Sequence, residues 1–440
     1  MSTWQDLVTA SLLGTERSGV PRSGVPGLPL LGDAGPGPPD DPAALLLARA
    51  ALLTVARRGG RPAGHAEPPP AAEPDPAPAV SPAAGRRLAR MLGGEHPDLL
   101  AEWLTAAVAR DRRVPAHLLP ALLDRARRVS QSDPELRRLS AAAGGSRARW
   151  LAGLNPDWTF VTAHAGTDQN AWRLGSRSQR RDYLTALRAR DPAAARDLVT
   201  LGWDGAAPER VMFLSVLANA DLSLADEPLL EAALDDGNAE VRGWAAHLLS
   251  RLPGCALGRR MARRALGCVR IDPGVLGDHL GDHLVISPPV QWDVAMRRDG
   301  LSPRGEGSLQ QLDDRTHLLL EILARTPLCT WTREFARPAE QILGLLPGPR
   351  APVLFTGWSR AAMAQRDQEW MIALINWALA GGPTGTRFGA ETLRQLARRA
   401  DPARCARETK ASRGAEIPSH IQDAISVLRF RYDMLKELEP

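Results

Sequence analysis

The feature that most constrains this chain is the spacing of its apolar residues, which recur at helical intervals from Pro82 onward. The alternating, β-branched pattern that is typical of strands is nearly absent. Pro97, Pro115, Pro134 and Pro192 each stand where a helix can begin, a position that tolerates the missing N–H of proline. The sequence therefore predicts an all-α protein.

Residues 225–254 give the clearest local prediction, a helical hairpin. Pro228 lies in the first turn of the first helix, Gly237 can adopt the left-handed conformation that ends it, and Asn238 can cap the second helix. The apolar stripe of the second helix consists of Val241, Trp244, Ala245, Leu248, Leu249 and Leu252. Capping, turn and periodicity signals agree here, and such agreement is typical of a real structural element.

The spacing of Pro228, Asp236, Val241 and Arg242 resembles that of the HEAT repeat, a helix pair that stacks into a curved solenoid. In that family the turn Asp and the following Arg bond along the stack, and the Val packs between the helices. The resemblance therefore implies that these four residues form a structural repeat motif.

A second unit upstream matches the motif in part. It reads Asp204, four residues, and then Glu209 and Arg210, with Glu209 standing where the motif has Val. Asp204 precedes Asp236 by 32 residues, a period within the range of solenoid repeats. We therefore expect a HEAT-like α-solenoid of stacked helical hairpins, with a flexible Pro/Ala-rich linker near the N-terminus.

Composition and periodicity divide the chain into five regions. The N-terminal region carries two predicted helices, Thr3–Leu13 and Pro42–Arg58, and the linker that follows has no periodicity and too few apolar residues to form a core. The regions are N-terminal helices at 1–58, a disordered linker at 59–82, a helical repeat region at 83–270, an irregular connection at 271–308 whose only strand candidate is 284–286, and a C-terminal helical region at 309–440.

Positive charge is concentrated in one stretch, because residues 86–150 hold 13 arginines against 7 acidic residues. One interpretation is a solvated helical face. The other is an electrostatic footprint for an acidic partner or a phosphate backbone. The chain has only two lysines and is rich in Ala, Gly and Pro, which is typical of a high-GC bacterial genome. The candidate basic patch consists of Arg86, Arg87, Arg90, Arg112, Arg113, Arg125, Arg127 and Arg128.

One group of residues has metal-binding chemistry. His279 and His283 are four residues apart, so one helix face can present both imidazoles, and Cys255 and Cys268 lie upstream. The spacing of the two cysteines is far from that of zinc fingers, which favours ordinary loop hydrogen bonding. Phosphate-loop, dinucleotide, nucleophile-elbow and metalloprotease motifs do not occur in the sequence. We therefore expect no cofactor and no enzymatic activity.

A wider resemblance links the chain to a bacterial family without an assigned activity. The residues that carry it are Trp4 to Arg17; Leu230 to Asp236 with Val241, Arg242 and Leu252 to Gly254; and Gly357 and Trp358 with Gln365, Asp367 and Trp370. Members of that family are typically encoded beside a MoxR-type AAA+ ATPase, a von Willebrand A-type protein and a SWIM zinc-finger protein. The resemblance thus implies protein partners and no particular reaction.

We expect a non-catalytic, protein-binding scaffold or adaptor, working with the AAA+ ATPase and the von Willebrand A protein. Short apolar runs and an N-terminus without a basic segment favour a cytoplasmic protein without a membrane span or signal peptide. The alternative is a HEAT-like nucleic-acid binder or DNA glycosylase that uses the basic segment 86–150. A basic groove in the folded protein favours nucleic acid, and a mixed or apolar groove favours protein.

Overall fold

The chain forms two compact units, Met1–Ala71 and Ala72–Pro440. A computed structural model describes most of both units. The described residues are 4–20, 41–58, 69–128, 134–162, 169–276, 279–302, 313–346, 351–382, 387–405 and 418–439.

The first unit is a small helical assembly. Its helices are α1 (Trp4–Leu13), α2 (Thr15–Ser18) and α3 (Pro42–Arg58). Gly14 separates α1 from α2 with a φ of 86°, a backbone conformation that glycine adopts at little cost. Leu7, Ala10 and Leu46 form a small buried cluster. Both helices predicted for this region are confirmed, and Thr3, where the first was expected to begin, lies outside the described residues.

The second unit is mostly helical, in agreement with the predicted class. Within the described residues, no helix combines the length and apolar composition needed to cross a bilayer. The α-helices are α4 (Pro82–Leu92), α5 (Leu100–Ala109), α6 (Leu119–Arg128), α7 (Pro134–Leu154), α8 (Gln169–Leu174), α9 (Arg177–Arg190), α10 (Pro192–Leu201), α11 (Ala207–Ala218), α12 (Glu227–Ala233), α13 (Ala239–Leu249), α14 (Ala256–Leu266), α15 (Val294–Arg298), α16 (Asp314–Arg325), α17 (Cys329–Glu334), α18 (Ala339–Gly344), α19 (Ala351–Gln365), α20 (Gln368–Leu379), α21 (Arg387–Ala397), α22 (Pro402–Cys405) and α23 (Ser419–Glu437).

Helices that belong to successive pairs in the sequence pack against each other. Helix α11 contacts α9 and α13, α19 contacts α16 and α21, and α21 contacts α23. A second series of contacts joins α18 to α20 and α20 to α22. One apolar core continues from Leu214 to Leu428, and its centre includes Trp331, Trp358 and Trp370, whose rings contact each other in sequence. These three tryptophan side chains therefore form part of the hydrophobic core.

The last helix of the unit packs against the first ones. Arg431 of α23 pairs with Glu102 of α5 at 2.7 Å, and Arg87 of α4 pairs with Glu437 at 2.6 Å. In a linear array of repeats each pair contacts only its neighbours along the sequence. The packing of α23 on α4 and α5 is therefore a long-range feature that the repeat pattern did not predict.

A two-stranded antiparallel hairpin interrupts the helices. Strand β1 (Val269–Leu276) pairs with β2 (His279–Ile286), and both Val269 and Leu284 are buried in the main core. The structure therefore corrects the irregular connection expected at 271–308, because most of its first part is a hairpin and α15 follows within it.

The sequence holds a hairpin signal that explains this correction. Leu276 pairs with His279, so the register leaves only Gly277 and Asp278 between the strands. In the sequence, Gly-Asp is one of the dipeptides typical of a two-residue hairpin turn. Pro273 and the glycines nearby weaken the strand pattern itself, because both residue types are depleted in strands.

Residues 72–81 lie on the helices, which differs from the disordered linker expected at 59–82. Val80 is buried, and its backbone N–H donates to the carbonyl oxygen of Arg113 at 2.9 Å. The Asp75 carboxylate pairs with Arg113 at 3.0 Å and accepts from the backbone N–H of Ser146 at 2.8 Å. Residues 59–68 of the expected linker lie outside the described residues.

Candidate functional site

The Asp236 carboxylate joins two successive helix pairs. Arg210, at the equivalent position of the upstream unit, donates to its two oxygens at 2.6 and 2.9 Å, and the backbone N–H of Asn238 donates at 2.8 Å. Arg242 donates to the backbone oxygens of Asp236 and Gly237. Burial alone raises the pKa of Asp236, but the hydrogen bonds from Arg210 and Asn238 outweigh it and hold the pKa below its ordinary value.

The other motif residues are also structural. Val241 is fully buried, Pro228 lies in the first turn of α12, and Asn238 caps α13 by accepting from the N–H of Val241. The expectation for Gly237 is wrong, because α12 ends at the right-handed Leu234 and Gly237 is not among the glycines with positive φ. These contacts therefore hold the helical hairpin together.

The two candidate metal-ligating histidines lie on strand β2, and the helical placement considered for them is wrong. His283 pairs with Asp272 in the hairpin register. Positions four apart in a strand are separated by about 13 Å, too far for two ligands of one ion. Cys255 caps α14, with its Sγ accepting from the N–H of Gly258 at 3.3 Å. Among the described residues, no group of three or more His, Cys, Asp or Glu side chains is placed to hold a metal.

Half of the candidate basic patch is neutralised within the chain, since four of its eight arginines are in ion pairs. Its paired arginines and their N–O distances are Arg87–Glu437 at 2.6 Å, Arg90–Glu95 at 2.5 Å, Arg113–Asp75 at 3.0 Å and Arg127–Asp157 at 3.6 Å. Arg128 donates to a backbone oxygen, that of Asp124. The side chains of Arg86 and Arg125 are exposed, and that of Arg112 is half-buried. The patch is therefore a set of ion pairs with a few exposed arginines between them.

A groove of about 610 Å³ brings together a different set of arginines. It lies at the C-terminal ends of α11, α13, α16, α19 and α21, and we call it the arginine groove. Its residues are Ala218, His247, Ser250, Arg251, Glu321, Ala324, Arg325, Arg360, Met363, Ala364, Arg366, Gln395 and Arg399. Five arginines and Glu321 line the groove, and Asp221 beside it pairs with Arg366 at 3.3 Å, which leaves an excess of three positive charges.

Glu321 is the carboxylate of this groove. Arg325, one turn further along α16, donates to it closely, and Arg360 of α19 donates to its other oxygen at 3.1 Å. Burial alone raises the pKa of Glu321, but the charges and hydrogen bonds of Arg325 and Arg360 outweigh it, so the pKa is lowered. Glu321 is therefore ionised at neutral pH, with two guanidinium groups around it.

The remaining arginines retain net positive charge. Arg251 donates to the carbonyl oxygens of Ala218 and Ala220, at the end of α11, and Arg399 donates to Gln395. Each helix C-terminus carries about half a negative charge, so five of them reduce the excess without cancelling it. Burial, followed by the charge of a neighbouring arginine, lowers the pKa of both Arg251 and Arg399. The groove stays electropositive.

His247 adds the one imidazole of the groove. Desolvation, to which the charges of Arg251 and Arg325 add, lowers its pKa below the ordinary value of 6.5. The imidazole is therefore neutral at neutral pH and adds no charge there.

Sequence reasoning missed the arginine groove because its residues are spread from position 218 to 399 and form no motif. The only local signal is that Arg251, Arg325, Arg366 and Arg399 each stand at or within two residues of a helix end. Cations at helix C-termini are common for reasons of stability alone, so this signal does not single out a site.

Comparison with models of protein families assigns the chain to one family. Residues 6–396 match the model of DUF5691, a family of unknown function. The chain belongs to this family. The DUF5691 match includes the groove residues from Ala218 to Gln395, and Arg399 lies just beyond its end. Neither curated proteins nor solved structures give a match. Because DUF5691 carries no assigned reaction, the geometry of the groove is the best guide to what the chain does.

Proposed function

We propose that this chain is a non-catalytic binding scaffold. In this proposal the helix pairs from α9 to α23 stack as a HEAT-like α-solenoid, and the arginine groove receives a protein partner. One observation carries it: the C-terminal ends of five helices line one groove. Helices whose ends meet in this way run in the same direction, as equivalent helices of repeated hairpins do. The bond from Arg210 to Asp236, between successive pairs, also supports a repeat.

The chemistry of the groove suits binding better than proton transfer. A general acid or base works best when its pKa lies near the working pH. The five arginines stay protonated at neutral pH, and the lowered pKa of Glu321 keeps this carboxylate ionised. These six groups can therefore hold and orient an anionic partner without exchanging a proton, and the lowered pKa of His247 disfavours its protonation at neutral pH.

The partners proposed first are the AAA+ ATPase and the von Willebrand A-type protein that the family resemblance implies, within the cytoplasm. Nucleic acid is the second candidate, because a basic groove satisfies the criterion set for it from the sequence. Single-stranded nucleic-acid sites usually stack bases on aromatic side chains. The residues that line the groove include no aromatic ring beside the His247 imidazole, and four of the eight arginines of the basic patch are in ion pairs. Both observations favour a protein partner.

The test mixes the purified chain with the ATPase and the von Willebrand A protein of the same genome and measures complex mass by size-exclusion chromatography with light scattering. Arg399→Glu, in the groove, should weaken or abolish the complex. Arg86→Glu is the matched control, because Arg86 is exposed on α4 and lies outside the groove. Absence of any complex, or equal loss with both variants, would overturn the proposal for this groove and these partners.

A further inference from the structure

The charge balance of the arginine groove limits the class of its ligand. Arg251, Arg360 and Arg399 line the groove together, and withdrawal from water lowers the pKa of each. Positive charges that are crowded and partly dehydrated repel one another, and a bound anion relieves this repulsion. The ligand is therefore an anion with more than one acidic group.

Glu321 indicates which anionic group fits. Its two oxygens are shared between Arg325 and Arg360, so a carboxylate already occupies the space between two guanidinium groups. The planar guanidinium fork matches the geometry of a carboxylate as well as that of a phosphate. Ala324, Met363 and Ala364 give the groove an apolar lining that suits the aliphatic stems of acidic side chains.

We propose that the arginine groove binds an acidic segment of a partner protein, and that Glu321 competes with the segment's carboxylates for Arg325 and Arg360. The inference rests on the proposed function, since it names the chemistry by which the partner is recognised. Glu321 then acts as an internal mimic of the ligand, which limits the affinity of the resting groove. Arg399 contacts the ligand directly, because its side chain lines the groove and is only partly withdrawn from water.

The experiment measures fluorescence anisotropy of a labelled eight-residue Glu/Asp peptide titrated with the full-length chain at low and high salt. Arg399→Gln should weaken binding by about tenfold, the loss expected for one charge-assisted hydrogen bond. Glu321→Gln should strengthen binding several-fold, because it frees two guanidinium groups. Because Glu321→Gln leaves Arg325 and Arg360 without their shared carboxylate, circular dichroism first establishes that the variant is folded, and only the folded variant is compared.

Matched controls separate the groove from the general surface charge. Glu135→Gln removes an exposed carboxylate that pairs with Arg138 outside the groove, and it should leave the affinity unchanged. Arg86→Gln removes one exposed positive charge elsewhere and should change it little. Added salt should weaken the binding of the peptide, because screening reduces the attraction between exposed charges.

Three results would overturn the inference. The first is no peptide binding at low salt, and the second is unchanged or weaker binding by Glu321→Gln. The third is tighter, Arg399-dependent binding of a single-stranded DNA oligonucleotide or of inorganic phosphate, which would assign the groove to those ligands. If the peptide fails while the protein complex still forms and depends on Arg399, only the acidic-segment inference fails. If the complex is absent while the peptide binds, the proposed partners fail and the groove's chemistry stands.

Discussion

At the scale of single residues, buried charges in the described chain are matched by partners from neighbouring helices. Arg188 and Asp226 are the most buried pair, with side chains 2% and 0% exposed, and Arg188 donates to both carboxylate oxygens at 2.7 and 2.8 Å. Arg196 and the backbone N–H of Ser223 also donate to Asp226. Burial alone raises the pKa of Asp226, but these bonds outweigh it and lower the pKa.

We predict that Asp226→Asn lowers the free energy of unfolding by about 3–5 kcal/mol, because it leaves the buried guanidinium of Arg188 without its counter-charge. Urea denaturation at neutral pH measures the change. Asp221→Asn is the control, since the Asp221 side chain is 95% exposed and should contribute little. Equal effects of the two substitutions would show that the buried pair does not stabilise the fold.

A second prediction concerns Asp236 and Arg210, whose side chains are 4% and 18% exposed. A double-mutant cycle with Asp236→Asn and Arg210→Gln should give a coupling of about 1–2 kcal/mol at neutral pH. The folded pKa of Asp236 lies below the ordinary 3.8, so the coupling is fully present above that value and is lost as the pH falls through the folded pKa. A coupling that is absent at pH 7, or unchanged well below pH 3.8, would contradict this account.

At the scale of elements, the helices were predictable because their signals are local. The bounds of α3 and the cap of α13 followed from periodicity and one capping residue. The β hairpin was not predicted because its strands contain Pro273 and several glycines, which are depleted in strands. Only the Gly-Asp dipeptide between the two segments is typical of a hairpin sequence. Residues 72–81 were missed for another reason, since their partners Arg113 and Ser146 lie far along the chain. Tertiary contacts of this kind leave no local pattern.

We predict that Asp75→Ala destabilises the second unit by about 1–3 kcal/mol, because it removes the acceptor of two backbone N–H groups and the partner of Arg113. Thermal unfolding of the full chain measures the loss. Asp111→Ala is a close control, because Asp111 also pairs with Arg113 at 3.0 Å but is 78% exposed. If both variants melt at the wild-type temperature, the segment does not contribute to stability.

At the scale of the whole molecule, the sequence predicted the class of the fold better than it predicted the site. Helical periodicity sufficed for a mostly helical protein, and the motif around Asp236 predicted a contact between successive helix pairs. Residues such as Arg251, Arg360 and Arg399 meet only after five helices align, so their proximity depends on the tertiary fold. The run of arginines in 86–128 is dense in the sequence, but four of its nine arginines are in ion pairs within the chain.

Amide hydrogen exchange tests the central claim, that the arginine groove is where a protein partner binds, most directly. The full chain is measured alone and in the complex with the ATPase and the von Willebrand A protein. The account predicts that protection on binding is concentrated at the C-terminal ends of α13, α16, α19 and α21, and that Arg399→Glu removes it while Arg86→Glu does not. Protection confined to α4 and α6, or to the β1–β2 hairpin, with the groove unchanged, would contradict it.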